Sequence, residues 1–170
     1  MEALLINGTV GSGKTSTADA LGDLLAGDEV PHAVIDMDWL RRAWPSPPGD
    51  PFRSDLALRN LAAVAANFRE AGARRLVVAG VIEERDERDD YQAALGLPLR
   101  VCRLRVDLAT VRDRLIRRHT GDDAGLRWHL DRSGELDAIL ERAGTEDFVV
   151  DAGDRPVAGV AAAIRKAAGW

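Results

Sequence analysis

Gly8-Thr9-Val10-Gly11-Ser12-Gly13-Lys14-Thr15 lies just after the apolar run Ala3-Leu4-Leu5-Ile6 and opens onto a stretch, Lys14 to Ala26, whose apolar residues recur at helical spacing. A strand, a glycine-rich turn and a helix, in that order, satisfy G-x-x-x-x-G-K-[ST] in the context that gives the pattern its meaning. Each position has a physical reason. Glycines let the backbone aim its N–H groups into a common concavity with no side chain in the way, and the helix N-terminus adds unpaired donors and the positive end of its dipole. The result is an anion cradle. A turn that only joined a strand to a helix would need one or two glycines and no lysine.

The dipole contributes only about 0.3–2 kcal/mol, too little to hold a multiply charged chain of phosphates. Lys14 supplies a compact positive charge, and the Thr15 hydroxyl is placed to join the shell of a Mg²⁺ ion. Gly8, Val10, Gly11, Ser12, Gly13, Lys14, Thr15 and Ser16 therefore form the expected nucleotide-binding set. Of the 23 basic residues, 21 are arginine, so Lys14 is one of only two lysines and the other, Lys166, is followed by Ala-Ala-Gly.

Composition limits what can surround this cradle. The 170 residues make one domain, 1–170, with 46 % apolar and 30 % charged residues, enough to bury a core. A net charge of −5 argues against a surface built for nucleic acid, so any anion must be bound locally. A single cysteine, Cys102, rules out an intrachain disulfide and a thiolate metal site. No stretch reaches the roughly 20 apolar residues of a membrane span, and no basic leader precedes Ala3. The expectation is a cytoplasmic protein, monomeric or homodimeric, that binds neither membrane nor nucleic acid.

Strand-length apolar runs alternate with helical periodicity along the chain, which reads as repeated β-α units and a mostly parallel sheet. Five strands are expected: Ala3 to Ile6, His32 to Ile35, Arg75 to Ile82, Leu99 to Val106 and Phe148 to Val150. The third is the most continuously apolar and reads as buried on both faces; the arginines of the fourth suggest a strand nearer an edge. Gly27 is the expected terminator of the first helix, Trp39 to Trp44 a short helix, and Ser54 the N-cap of a helix ending at Gly72. Four prolines, 45, 47, 48 and 51, make the intervening segment a loop. Glu84 to Leu95 and Leu108 to His119 read as helices, the latter capped by Asp107. Residues 120–134 read as a Gly-punctuated segment before a helix from Gly134 to Ala143, and Val157 opens the last helix.

With these elements in hand, the chain resembles the small P-loop kinases, a group that includes adenylylsulfate, shikimate and gluconate kinases and chloramphenicol phosphotransferase. The resemblance implies a three-layer α/β fold of the P-loop NTPase type, a five-stranded parallel sheet in the order 2-3-1-4-5 and a small lid, here about 119–133. It implies ATP as phosphate donor, Mg²⁺ as cofactor and a small-molecule acceptor bound by about residues 36–60. A base-reading Asn-Lys-x-Asp segment, as in GTPases, is missing.

Asp36-Met37-Asp38 falls past the carboxyl end of the second strand, where open α/β sheets place ligands. In the resembling kinases an acidic residue there meets the acceptor hydroxyl or the metal shell, and Arg41 completes a D-x-D-x-x-R pattern like that of adenylylsulfate kinases. Asp38 is the expected acceptor-orienting group and general base, Asp36 the group nearer Mg²⁺; the two could be exchanged. Asp38 could also serve as N-cap for Trp39 onward. Trp39, Trp44, Arg41, Arg42 and Arg53 around the Pro-rich loop suit a planar or anionic acceptor.

The third strand departs from the family pattern, with Ala79-Gly80 where many of these kinases have Asp-Gly, and Glu83 is the candidate for a metal or acceptor contact nearby. The run Glu83 to Asp90 holds six acids and two arginines and reads mainly as a solvated helix face. By position in the family, Arg114 stacks on adenine, Arg118 reaches the transferring phosphate and Arg132 is a further clamp, with Gly121 and Gly125 as hinges. The loop from Asp151 to Pro156 resembles the one that packs on the adenine edge. The combined expectation is an ATP-dependent phosphotransferase acting on a hydroxyl of a metabolite, nucleoside-type compound or antibiotic; the alternative is a P-loop ATPase or nucleotide-dependent regulator with no such acceptor.

Overall fold

The computed structural model describes residues 1–170. Five parallel strands, β1 (Glu2–Asn7), β2 (His32–Asp36), β3 (Arg75–Ala79), β4 (Leu99–Arg105) and β5 (Phe148–Asp151), form one sheet in the order β2-β3-β1-β4-β5, as the family resemblance implies. β1 pairs with β3 and β4, Leu5 facing Val78 on one side and Val101 on the other.

Period-two alternation divides the apolar residues between two cores. Leu4, Ile6, Val77, Cys102 and Leu104 pack on one face against α1 (Lys14–Gly27), α5 (Leu108–Arg118) and α7 (Val157–Ala168), through residues such as Leu21, Leu115 and Ile164. Leu5, Ile35, Val78 and Val101 pack on the other against α3 (Ser54–Glu70) and α4 (Arg85–Leu95), through Leu61, Tyr91 and Leu95. A helix on each side of a continuously apolar strand removes both its faces from water, which is why the central strands carry no polar alternation.

Several expected boundaries move, each for a local reason. Gly27 is the last residue of α1, and the reversal falls instead on Glu29, at φ 56°, with the Glu29 and Val30 amides closing on Ala26 and Leu25. The short helix α2 is Met37–Leu40; Arg41 to Trp44 are not helical. Its N-cap is Asp36, whose carboxylate accepts from the Asp38 amide at 2.8 Å, so Asp38 is freed from that duty. Ser54 does not cap α3. The buried Asp50 carboxylate does, accepting from Ser54 N–H at 2.6 Å and Leu56 N–H at 3.0 Å across a turn that puts Arg53 at φ 59°. Asp50→Ala is therefore expected to lower stability by about 1–2 kcal/mol, the effect of losing a strong N-cap, read as a shifted urea midpoint.

β4 lies inside the sheet, between β1 and β5. Its arginine pattern misleads because Arg103 is buried, only 3 % exposed, beneath paired acids: Glu141 at 2.7 Å and Asp137 at 3.1 Å. Those acids sit on α6 (Asp123–Ala143), one unbroken helix that starts eleven residues before the expected Gly134. Gly125 is inside it, its amide capped by the Asp122 carboxylate, and is no hinge. α6 packs Leu126 and Leu130 on the α1 side and covers Arg103 with its second half, so it passes across the carboxyl ends of the strands. That end of the sheet is where the glycine-rich turn sits.

Candidate active site

The turn between β1 and α1 is anchored from below by a buried amide side chain. Asn7 Oδ1 accepts from the Gly8 amide at 2.9 Å, and its Nδ2 donates to the Ile82 carbonyl at 3.0 Å, which ties the cradle to the segment after β3. From above, Thr9 Oγ1 donates to the Ser133 carbonyl of α6 at 2.5 Å. Glycine is obligatory at two points. A Cβ on Gly8 would stand 2.7 Å from Ser12 Oγ and 3.1 Å from the Leu104 carbonyl, and Gly13, at φ 97°, is the left-handed N-cap from which α1 starts. Ser12 Oγ is buried and has no hydrogen-bond partner, the condition of a donor whose acceptor is a ligand.

Lys14 folds back over this turn, its Nζ donating to the carbonyls of Gly8 at 2.8 Å and Thr9 at 3.0 Å. Burial pulls its pKa down from 10.5 to about 8, against the opposing pull of the Asp38 and Asp36 carboxylates and with a further lowering from Arg118. Three expected site residues, Asp36, Asp38 and Arg118, thus act on the one ammonium group of Lys14. Thr15 Oγ1 donates to Asp36 Oδ2 at 2.7 Å, joining the start of α1 to the end of β2. A hydroxyl and a carboxylate, both hard oxygen donors, thus stand together beside the cradle. No set of three or more acidic, histidine or cysteine side chains in the chain could hold a metal unaided. Such a pair suits Mg²⁺, which takes one or two protein oxygens and completes its shell from phosphates and water.

Past Asp36 the backbone carries Asp38 into an open groove of about 580 Å³, lined by Asp38, Arg41, Arg42, Ala43, Trp44 and Arg53. The Asp38 side chain is 88 % exposed and lies 3.7 Å from Arg41 Nε. Trp39 faces outward and carries the Arg42 guanidinium over its ring at 4.5 Å, so it belongs to the rim. The Tyr91 ring of α4, buried, sends its hydroxyl to the Val81 carbonyl at 3.2 Å. Burial holds that phenol neutral, its pKa pushed up to about 12, and Arg41 and Asp38 both act on it. Tyr91 lies against Gly80: a Cβ there would meet Met37 Cγ at 3.0 Å and the Tyr91 hydroxyl at 3.4 Å. These neighbours keep position 80 a glycine, as in the family's Asp-Gly, while the family's aspartate is replaced by Ala79, which is buried.

Four expected site residues make contacts elsewhere. Glu83 pairs with Arg132, which also reaches Glu135 at 2.9 Å; together they latch α6 to the end of β3 and leave neither Glu83 facing a metal nor Arg132 facing phosphate. Arg114 spends its guanidinium on the carbonyls of Ser12 at 3.2 Å, Ala152 at 3.1 Å and Gly153 at 2.6 Å, bracing the cradle against the loop after β5. The Asp151 carboxylate is turned to Arg105 at 2.7 Å on the sheet surface. Asn7 and Tyr91 carry structural duties that the sequence analysis does not assign. A polar residue ending an apolar strand, and the lone tyrosine four residues before Leu95 on a charged helix, were the available signals.

The model of the AAA domain family matches residues 4–129, from β1 into α6. No curated protein matches the chain significantly. Among solved structures, the Deinococcus radiodurans tunicamycin resistance protein superposes with a TM-score of 0.70 at 24 % identity, over 99 % of this chain and 95 % of its own. The Mycobacterium tuberculosis APS kinase CysC, in complex with AMPPNP and APS, gives 0.65 at 21 % identity over 99 % and 98 %. A gluconokinase from Sinorhizobium meliloti 1021 gives 0.60 at 20 % over 99 % and 95 %. At these identities the likeness is one of fold.

Proposed function

The chain belongs to the AAA domain family, and from that membership and the site's geometry we propose that it is an ATP-dependent kinase, moving the γ-phosphate to a hydroxyl of a small molecule. One observation carries the reading: the Thr15–Asp36 hydrogen bond joins the phosphate cradle to the strand end that delivers Asp38 into the groove. Donor and acceptor sites thereby share one edge. Two of the solved neighbours are a gluconokinase and an APS kinase, the latter bound to AMPPNP, which supports a nucleotide in the cradle.

In this reading the amides from Gly8 to Thr15 hold the phosphates, and Lys14 leaves the Gly8 and Thr9 carbonyls for them. Thr15 and Asp36 would hold Mg²⁺, which supplies charge neutralisation at the phosphates. Asp38 orients the acceptor hydroxyl and takes its proton as the new O–P bond forms and the bond to ADP breaks. Because phosphoryl transfer is largely dissociative, this carboxylate acts mainly by position. Arg118, whose charge is felt at Lys14, meets the charge that develops on the transferred group.

A phosphorus NMR or mass-shift screen of hydroxylated metabolites and antibiotics with Mg·ATP tests the proposal. Transfer to one class, abolished by EDTA and restored by Mg²⁺, is the expected result. Slow ATP hydrolysis indifferent to every acceptor would favour the second reading, a nucleotide-dependent regulator, to which the alanine at position 79 in place of an acid lends support.

A further inference from the structure

Three of the six residues from Gly8 to Gly13 are glycine, so the cradle has few side chains of its own to hold it in shape. Glycine gives up more conformational freedom on ordering than any other residue, and a loop that has to freeze around its ligand loses affinity accordingly. The shape must be imposed from outside. Only Thr9, Val10 and Ser12 carry side chains there. Val10 packs on the core, and Ser12 Oγ has no hydrogen-bond partner in the protein. Thr9 is the one that makes a hydrogen bond: its buried hydroxyl donates to the Ser133 carbonyl, 124 positions away on α6.

Ser133 is itself fixed by its neighbours. Arg132 pairs with Glu83 past the end of β3, and further along α6 Asp137 and Glu141 close on the buried Arg103. Glu83 is held in turn: its amide donates to Glu87 Oε2 at 2.6 Å. The adjoining Ile82 meets the Asn7 side chain twice, its carbonyl accepting at 3.0 Å and its amide donating at 3.4 Å, while Asn7 also holds the Gly8 amide. The contacts close a ring of three segments, 7–9, 82–83 and 132–133, each joined to the other two. Asn7 and Thr9 are buried, so a ligand entering the cradle leaves both joints in place. The Glu83–Arg132 pair, with side chains 31 % and 25 % exposed, is the joint that solvent reaches.

We propose that Thr9 is a positioning residue of the cradle and that the Glu83–Arg132 ion pair acts through it. The pair sets where α6 presents the Ser133 carbonyl, and the Thr9 hydroxyl carries that position into the loop that binds phosphate. The Ser12 amide, bonded to the Thr9 carbonyl at 3.2 Å, is the next group along the same path. Preorganisation of this kind raises affinity by removing an ordering cost, with no new contact to the ligand. The consequence for affinity rests on the nucleotide reading of the cradle; the coupling between α6 and the loop does not.

The test combines calorimetric titration of the whole protein with Mg·ADP and amide hydrogen exchange of the ligand-free protein, for Thr9→Val, Thr9→Ser, Glu83→Gln and the double variant Thr9→Val/Glu83→Gln. Thr9→Val should weaken Mg·ADP about five- to tenfold, the worth of one neutral hydrogen bond, and Thr9→Ser, which keeps the hydroxyl, should restore most of it. Glu83→Gln should weaken it about two- to fivefold, the scale of a partly exposed ion pair, and should speed exchange in the peptide covering residues 8–14 as well as in α6. Because both changes act along one path, the double variant should bind no worse than Thr9→Val alone. Multiplicative losses in the double variant, unchanged affinity in Thr9→Val, Thr9→Ser as weak as Thr9→Val, or faster exchange confined to α6 would overturn the proposal. If the parent protein does not bind Mg·ADP, the nucleotide reading falls on its own, and exchange at residues 8–14 in Glu83→Gln decides the coupling.

Discussion

Lys14→Ala is expected to lower phosphoryl transfer by at least 10²–10³-fold, the scale of losing one preorganised electrostatic contact to a developing charge. The fold should survive it, because Nζ makes only the two bonds to the Gly8 and Thr9 carbonyls that it must surrender to a ligand. A pH signature separates this role from a packing one. Burial leaves Lys14 with a pKa of about 8 while the cradle holds no phosphate. Phosphates favour the ammonium form and raise that pKa, so binding near pH 8 must take up a proton, and Mg·ATP affinity must fall as pH climbs above 8. Calorimetry in two buffers of different ionisation enthalpy reads the proton count. Uptake at pH 8 that disappears in Lys14→Ala is the expected result; a fully active variant, or no linked proton in the parent, would refute the assignment.

The second large effect divides two carboxylates that stand two residues apart. Asp38→Asn should cost roughly 10²-fold in transfer, at the low end for a positioned acid–base group because the transition state is loose. Stabilisation by Mg·ATP should persist, since Asp38 lies in the groove and bonds to nothing in the cradle. Asp36→Asn should do the opposite. Asparagine caps helices as well as aspartate, so α2 is kept and the change isolates the charge. With the Thr15–Asp36 pair weakened as a cation ligand, the Mg²⁺ concentration needed for half-maximal rate should rise about tenfold or more. Titrating Mg²⁺ against both variants checks the division. If Asp38→Asn raises the Mg²⁺ requirement and Asp36→Asn does not, the two roles are exchanged.

The distribution of right and wrong boundaries follows the range of the interactions that set them. Asp107 caps α5 as expected because its carboxylate bonds Thr110, three residues along. Ser54 fails as a cap because Asp50, four residues earlier and buried, outcompetes it, and nothing in the local pattern ranks one polar residue above another. Arg103 reads as a solvent-facing residue until α6 brings Asp137 and Glu141 over it. Glu83 and Arg132 each read as a site residue by position, and their pairing across 49 positions is invisible until the fold brings α6 to the end of β3.

What the chain order alone determined is the cradle, the parallel α/β sheet that carries it and the acid pair past the second strand, since each is written in contiguous residues whose backbone needs are local: glycine for a left-handed turn, alternation for a buried strand, a carboxylate at a strand end. The tertiary structure alone decided which charges remain free to act. Thr15 meets Asp36, Thr9 meets α6, and Arg114 is drawn onto three carbonyls. Pairings between distant segments depend on packing geometry, and a charge is available to a ligand only when no closer partner has neutralised it.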